Sequence, residues 1–152
     1  MSLDTPDEFV FLYPLNRRNL LPGLTSGAHY KFRAIRFTLK QRKLLWMVSN
    51  LAHLPLDGLL GSIDVFHAPD FVGPWLTYTP LVITMHDLAP WLYPETRTWL
   101  NLLFYRTAFP ASARRAMRII TDSESTRNGL CKWWPALDEK TVTVHLAPGA
   151  HY

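Results

Sequence analysis

Hydrophobic and polar positions along the chain follow two rhythms. Phe9-Val10-Phe11-Leu12-Tyr13 is an unbroken apolar run stopped by Pro14, the pattern of a buried strand that ends at a turn. Pro22, Gly23 and Gly27 mark the stretch to Ala28 as a loop. Tyr30 to Phe37 then alternates large apolar with basic side chains, which predicts an edge or half-exposed strand. From Leu39 to Leu54 the period becomes helical, with apolar residues at 44, 45, 47, 48, 51 and 52, and Pro55 is placed to stop the helix. Ile63-Asp64-Val65-Phe66-His67, closed by Ala68-Pro69-Asp70, and Pro80 to Met85, closed by His86-Asp87, predict two further buried strands. A helix is expected from about Thr98 to Arg115, a strand over Arg118 to Thr121, a helix over Ser123 to Trp134 ended by Pro135, and a last β-branched strand over Thr141 to His145. Ahead of the second of these helices, Thr121 and Glu124 stand at the spacing of a capping box.

Short apolar strands separated by helices predict an α/β fold, a Rossmann-like, doubly wound parallel sheet with helices on both faces. Ligands of such sheets sit beyond the carboxyl ends of the strands, so the residues that follow each strand are where chemistry is to be sought. Here those residues are His67-Ala68-Pro69-Asp70, His86-Asp87-Leu88, Asp122-Ser123-Glu124 and Pro148-Gly149. His86, directly after a central strand, has the chemistry to exchange a proton or hydrogen bond with a substrate hydroxyl near neutral pH, or to be a satisfied structural histidine. His67 stands at the matching place one strand earlier, with Asp70 three residues on. Ser123 opens a helix, where it serves as a cap or stands beside backbone N–H groups able to receive an anion.

Composition narrows the classes. A chain of 152 residues with 48% apolar and 18% charged residues buries a sizeable core, which rules out global disorder. No apolar run approaches the ~18 residues of a membrane span and no basic segment leads into an apolar signal stretch, so a cytoplasmic protein is expected. The single Cys131 allows no intramolecular disulfide and no multi-cysteine metal site. The net charge of +4 is unevenly spread: between Phe9 and Leu56 there is no acid, while Arg17, Arg18, Lys31, Arg33, Arg36, Lys40, Arg42 and Lys43 are all basic. Such a stretch is either a solvated face or an attractor of phosphate, on nucleic acid, on anionic lipid or on a phosphorylated acceptor. No recognisable nucleic-acid module accompanies it, so no specific nucleic-acid partner is expected. Neither a dinucleotide-binding nor a phosphate-loop glycine motif is present. Paired His86-Asp87, with His67 and Asp122 as further ligands, would suit a metal-dependent phosphohydrolase, but those enzymes carry the pair on a helix and here it follows a strand, so no metal site is assigned.

Taken in order, IDVFHAPDF, PLVITMHDLAPWLYPE, SARRAMRIITDSESTRNGL and DEKTVTVHLAPG resemble the N-terminal domain of family-4 retaining glycosyltransferases of the GT-B fold, especially mannosyltransferase-like members. The resemblance covers roughly residues 60 to 150. It implies that the HAPDF segment, with His67 and Asp70, ends a strand facing the cleft between two domains, and that His86 contacts the transferred sugar near the reaction centre. By the same resemblance Asp87 lies beside it, and Ser123 and Thr126 open a helix lining that cleft. The implied domain is the acceptor side: it binds a glycan or lipid-linked acceptor, while a second domain holds the nucleotide-sugar, a co-substrate rather than a cofactor, and no metal is required. The resemblance aligns Phe9–Tyr13 with the family's second strand and places Ala147-Pro148-Gly149 where the linker to the donor domain begins. Residues 1–152 are therefore expected to be a partial N-terminal domain, inactive alone and prone to self-association. Peripheral contact with an anionic membrane is expected from the basic stretch and from the Trp46 helix, unless Trp46 is buried on the sheet. The competing expectation, of a different class, is a non-catalytic α/β module that binds a phosphorylated or nucleic-acid ligand.

Overall fold

The computed structural model describes residues 7–14 and 30–147; the loop expected around Gly23 and Gly27, with Arg17 and Arg18, and the Pro148-Gly149 strand end lie outside them. The chain divides into two compact units, one ending at Lys43 and the other running from Leu44. In the first unit β1 (Phe9–Pro14) and β2 (Tyr30–Ile35) form a parallel pair in register Phe9 to Tyr30, with Phe11 stacked on Phe32 at 5.5 Å. Both Phe9 and Phe11 are exposed, so β1 is not the buried strand that its unbroken apolar run predicts. Within this unit the side chains of Lys31, Arg33, Arg36 and Lys40 are exposed, and Lys31 pairs with Glu8 at 2.6 Å.

The second unit holds a four-stranded parallel sheet in the order β3 (Phe66–Ala68), β4 (Leu81–Met85), β5 (Arg118–Thr121) and β6 (Thr141–Thr143). Around it run α1 (Leu39–Ala52, which starts in the first unit), α2 (Asp57–Leu60), α3 (Ala89–Leu92), α4 (Trp99–Arg115) and α5 (Glu124–Trp133). Parallel sheets flanked by helices match the expected α/β, Rossmann-like class. The faces are not equally dry. Leu81, Ile83, Met85, Ile119 and Thr121 point into the core, with Ile83, Met85 and Ile119 fully buried, while Val82, Thr84 and Ile120 on the other face are half-buried and Val142 is exposed. The strand predicted over Ile63–His67 is shorter and later, because Ile63, Asp64 and Val65 do not join the ladder; His67 therefore lies within β3 rather than beyond its end. The last strand likewise stops at Thr143, short of His145.

Helix α1 stops before the expected proline. His53 adopts a left-handed conformation (φ 54°) and the Leu54 N–H returns to the Ser49 carbonyl at 2.9 Å, a Schellman-type closure that ends the helix at Ala52. Trp46 is buried and meets Phe66 edge to face at 6.1 Å, so it serves packing and not a membrane. Helix α4 turns Phe104, Tyr105, Ala108, Phe109 and Ser112 inward at three- and four-residue spacing. With α3 and α5 it encloses an aromatic cluster in which Trp91 touches Phe109 (5.0 Å), Trp134 (5.3 Å) and Tyr105 (6.3 Å), and Phe71 touches Tyr105 (5.2 Å).

Between β3 and β4 the chain runs through the interior as an irregular segment, Phe71 to Leu76, with five of its six residues buried. Backbone polar groups that pass through a core must find partners, and polar side chains supply them here. The Gly73 N–H donates to Ser112 Oγ (2.8 Å) and its carbonyl accepts from Asn50 Nδ2 (2.9 Å); the Trp75 N–H donates to Ser49 Oγ (2.9 Å) and its carbonyl accepts from the Leu56 N–H (3.0 Å). The Leu76 carbonyl takes the Arg115 guanidinium, which also lies over the Trp75 ring. Asp57 then receives the N–H groups of Thr77, Tyr78 and Thr79 at 2.8 to 3.0 Å. Gly73 is required by space: a Cβ there would lie 2.5 Å from Leu81 Cδ1 in the packed core. This pinned segment fixes the turn that precedes it, Pro69 to Phe71.

Candidate functional site

Because β3, β4 and β5 are adjacent and parallel, their carboxyl ends lie side by side. Met85 pairs with Thr121, so the next residues along, His86 and Asp122, are neighbours across the two strand ends. His86 Nδ1 lies 3.1 Å from Asp122 Oδ2, and its Nε2 lies 2.9 Å from the Pro69 carbonyl oxygen in the turn after β3. The Thr126 hydroxyl on α5 donates to the His86 carbonyl at 3.1 Å. The Phe71 ring meets the imidazole in a T-shaped arrangement, with centroids 6.4 Å apart. Phe71 itself has φ 51°, a left-handed conformation that is costly for a bulky residue and that persists only where surrounding contacts enforce it. Its N–H donates to the Thr84 carbonyl (3.0 Å) and its ring packs on Tyr105, which are such contacts.

His67 projects from the half-buried face of β3, with Nε2 2.8 Å from Thr84 Oγ1 on β4. Its pKa is lowered, first by burial and second by the positive charge of His86, which places the two imidazoles within electrostatic reach of each other. The pKa of His86 is raised: the hydrogen bond to Asp122 is the main cause, partial burial opposes it, and the Pro69 carbonyl and the charges of Asp122 and Asp70 add to the rise. Asp70 therefore acts on the site through its charge, from the turn after β3. Ser123 is the N-cap of α5, accepting the Thr126 N–H at 3.2 Å, and its hydroxyl meets that of Thr126 at 2.9 Å.

Of the residues expected to line a site, Thr126 is hydrogen-bonded to the His86 carbonyl and Ser123 caps the same helix, while His67, within β3, and Asp70, in the turn after it, are tied to His86 through charge. Asp87 is placed differently: its Oδ1 accepts the Ala89 N–H at 2.8 Å and opens α3. The capping box expected between Thr121 and Glu124 does not form, because Thr121 belongs to β5 and turns its hydroxyl toward Thr143, leaving the cap to Ser123. The partners Asp122, Thr84 and Phe71 and the Pro69 carbonyl lie within the segments that carry the family resemblance, but only Asp122 stands out there, and as a metal ligand rather than a partner of His86. The pairing of His86 with Asp122 becomes legible only once β4 and β5 are aligned in register. Among the described residues no group of three or more His, Cys, Asp or Glu side chains is arranged to hold a metal ion.

Sequence comparison assigns this arrangement to a lineage: residues 10–147 match the family model described as Glycosyltransferase Family 4, and the match spans most of the chain. The chain belongs to Glycosyltransferase Family 4. No match to it is found among curated proteins or among solved structures. Membership makes this a Rossmann-like glycosyltransferase domain, and the strand ends carrying His86, Pro69 and Asp122 are the edge at which open α/β sheets receive their ligands.

Proposed function

We propose that the chain is the acceptor-side domain of a retaining, mannosyltransferase-like hexosyltransferase of Glycosyltransferase Family 4. In this reading residues 1–152 contribute acceptor binding and one wall of the cleft in which a hexose passes from a nucleotide-sugar to a glycan or lipid-linked acceptor. The family match over residues 10–147 carries the reading. The placing of His86 at a strand end beside the Ser123–Thr126 helix start, with His67 and Asp70 acting on it through charge, supports it. Asp87, expected at the same site, supports it from the adjoining turn by holding the Ala89 N–H at the start of α3. The donor enters as a co-substrate held by a separate domain, with no metal cofactor, as in the retaining members that the sequence resembles. Transfer requires donor and acceptor to be held in line and the charge on the leaving diphosphate to be stabilised. The strand-end residues of this domain serve the first requirement in part.

His86→Ala, measured as sugar transfer by the enzyme that carries this domain, is expected to lower turnover by ~100-fold or more, the scale of a lost polar contact at a reaction centre, with little change in thermal stability. Unchanged transfer would refute the role of His86. Titration of the isolated chain separates the competing class: salt-sensitive binding of oligonucleotides through the basic residues of the first unit, with no binding of glycan acceptors, would overturn the acceptor-domain reading in favour of a binding module.

A further inference from the structure

Both ring nitrogens of His86 face oxygen acceptors, Asp122 Oδ2 at 3.1 Å and the Pro69 carbonyl at 2.9 Å. A neutral imidazole has only one N–H to donate, so it would turn a nitrogen lone pair toward one of these oxygens at hydrogen-bonding distance. The backbone carbonyl cannot reverse its role. An imidazolium satisfies both partners at once. We propose that Asp122 is the positioning residue for His86, holding its ring as a cation with two N–H donors across the ends of β3, β4 and β5.

This deepens the transferase reading, on which its catalytic meaning rests. A ring held in this way is a donor and a positive charge, not a general base. A substrate hydroxyl or phosphate oxygen that takes a hydrogen bond from Nε2 must share that N–H with the Pro69 carbonyl, while Nδ1 stays on Asp122 and keeps the ring's orientation. The groups that set the charge come from every side of the ring: Asp122 after β5, Asp70 in the turn after β3, and His67 on β3, whose own protonation the His86 charge opposes. The Thr126 hydroxyl fixes the backbone of His86 independently of its ring, so loss of the carboxylate need not release the strand end.

Nitrogen-resolved NMR of the imidazoles in the full chain tests this directly. Wild type is expected to show both His86 nitrogens protonated at a pH where an exposed peptide histidine is mostly neutral, and Asp122→Asn is expected to weaken His86 protonation by about tenfold, one pH unit in its midpoint. Asp122→Glu should retain part of the effect, and the His67 midpoint, which the His86 charge holds down, should rise as His86 protonation weakens. A His86 midpoint at or below the ordinary histidine value, or an unmoved midpoint in Asp122→Asn, would overturn the proposal; the wild-type measurement needs no variant to fold. In the enzyme that carries the domain, the alkaline limb of kcat should move to lower pH in Asp122→Asn. A shifted NMR midpoint with an unshifted activity profile leaves the positioning of His86 standing and refutes the catalytic reading of the site. A normal midpoint beside a large activity loss in His86→Ala does the reverse.

Discussion

Three residues show how single side chains set the chemistry of this domain. Asp57 attracts no attention in the sequence, yet its carboxylate gathers three successive backbone N–H groups. Burial alone would raise its pKa, but those hydrogen bonds win and bring it down to about 2 from 3.8. A carboxylate with a depressed folded pKa stabilises the fold above its unfolded value and loses that contribution as pH falls from 3.8 through the folded value near 2. Asp57→Asn is therefore expected to cost about 1–2 kcal/mol at neutral pH, with allowance for its partial exposure, and much less near pH 2; denaturant titrations at the two pH values check it. Cys131 illustrates the opposite case. Burial and the neighbouring Asp138 raise its pKa, so it remains a thiol donating to Asp138 and has none of the character of a reactive thiolate. Lys140 reaches the carbonyls of Arg114 and Ala116 at 2.8 and 3.1 Å, which places a cation on the carboxyl end of α4 despite the burial that lowers its pKa.

At the scale of elements, the periodicities located most of the helices and strands, and the departures have identifiable causes. Helix α4 persists through Pro110, as expected, because its inward face is buried on both sides of the proline, at Ala108 and Phe109 before it and at Ala111, Ser112 and Ala113 after it. Helix α1 ends at a left-handed His53 rather than at Pro55, a backbone choice with no fixed residue signature outside glycine and asparagine. The buried segment from Phe71 to Leu76 was not legible either. Its apolar residues resemble a loop with Gly-Pro punctuation, and only the positions of Ser49, Asn50, Ser112 and Arg115 on two distant helices explain how such backbone can lie in a core. Helix α5 depends on one cap: Ser123→Ala is expected to lower global stability by about 1 kcal/mol in thermal or urea denaturation. The same change should leave the His86–Asp122 bond in place, since the Ser123 hydroxyl is engaged by Thr126.

For the molecule as a whole, the described residues include no helix long and apolar enough to cross a membrane. The outward stripe of α4 is nevertheless apolar and cationic. Trp99 (70% exposed), Leu100 (60%) and Leu103 lie along it with Arg106 and Arg114, and the helix contains no acid. Two copies joined through this stripe would bring like charges together, whereas anionic lipid would neutralise them. The peripheral membrane contact expected from the basic stretch and the Trp46 helix is a proposal, and Trp46, being buried, does not serve it; the α4 stripe is the face on which it can be tested. The chain should co-sediment with vesicles containing phosphatidylserine more strongly than with neutral ones, and Leu103→Glu should reduce that binding severalfold; a salt-insensitive dimer in light scattering, disrupted by the same substitution, would instead assign the stripe to self-association.

Sequence alone determined the class of this domain. Hydrophobic period and the residues at strand ends are local properties, and they sufficed for an α/β order of elements, for His86 at the end of a central strand and for the family to which the chain belongs. Tertiary structure decided what His86 can do. Its partners, the Pro69 carbonyl 17 residues earlier and Asp122 36 residues later, meet it only through the parallel register of three adjacent strands. The protonation state of an imidazole is set by the oxygens within about 3 Å of its ring, which no spacing along the chain encodes.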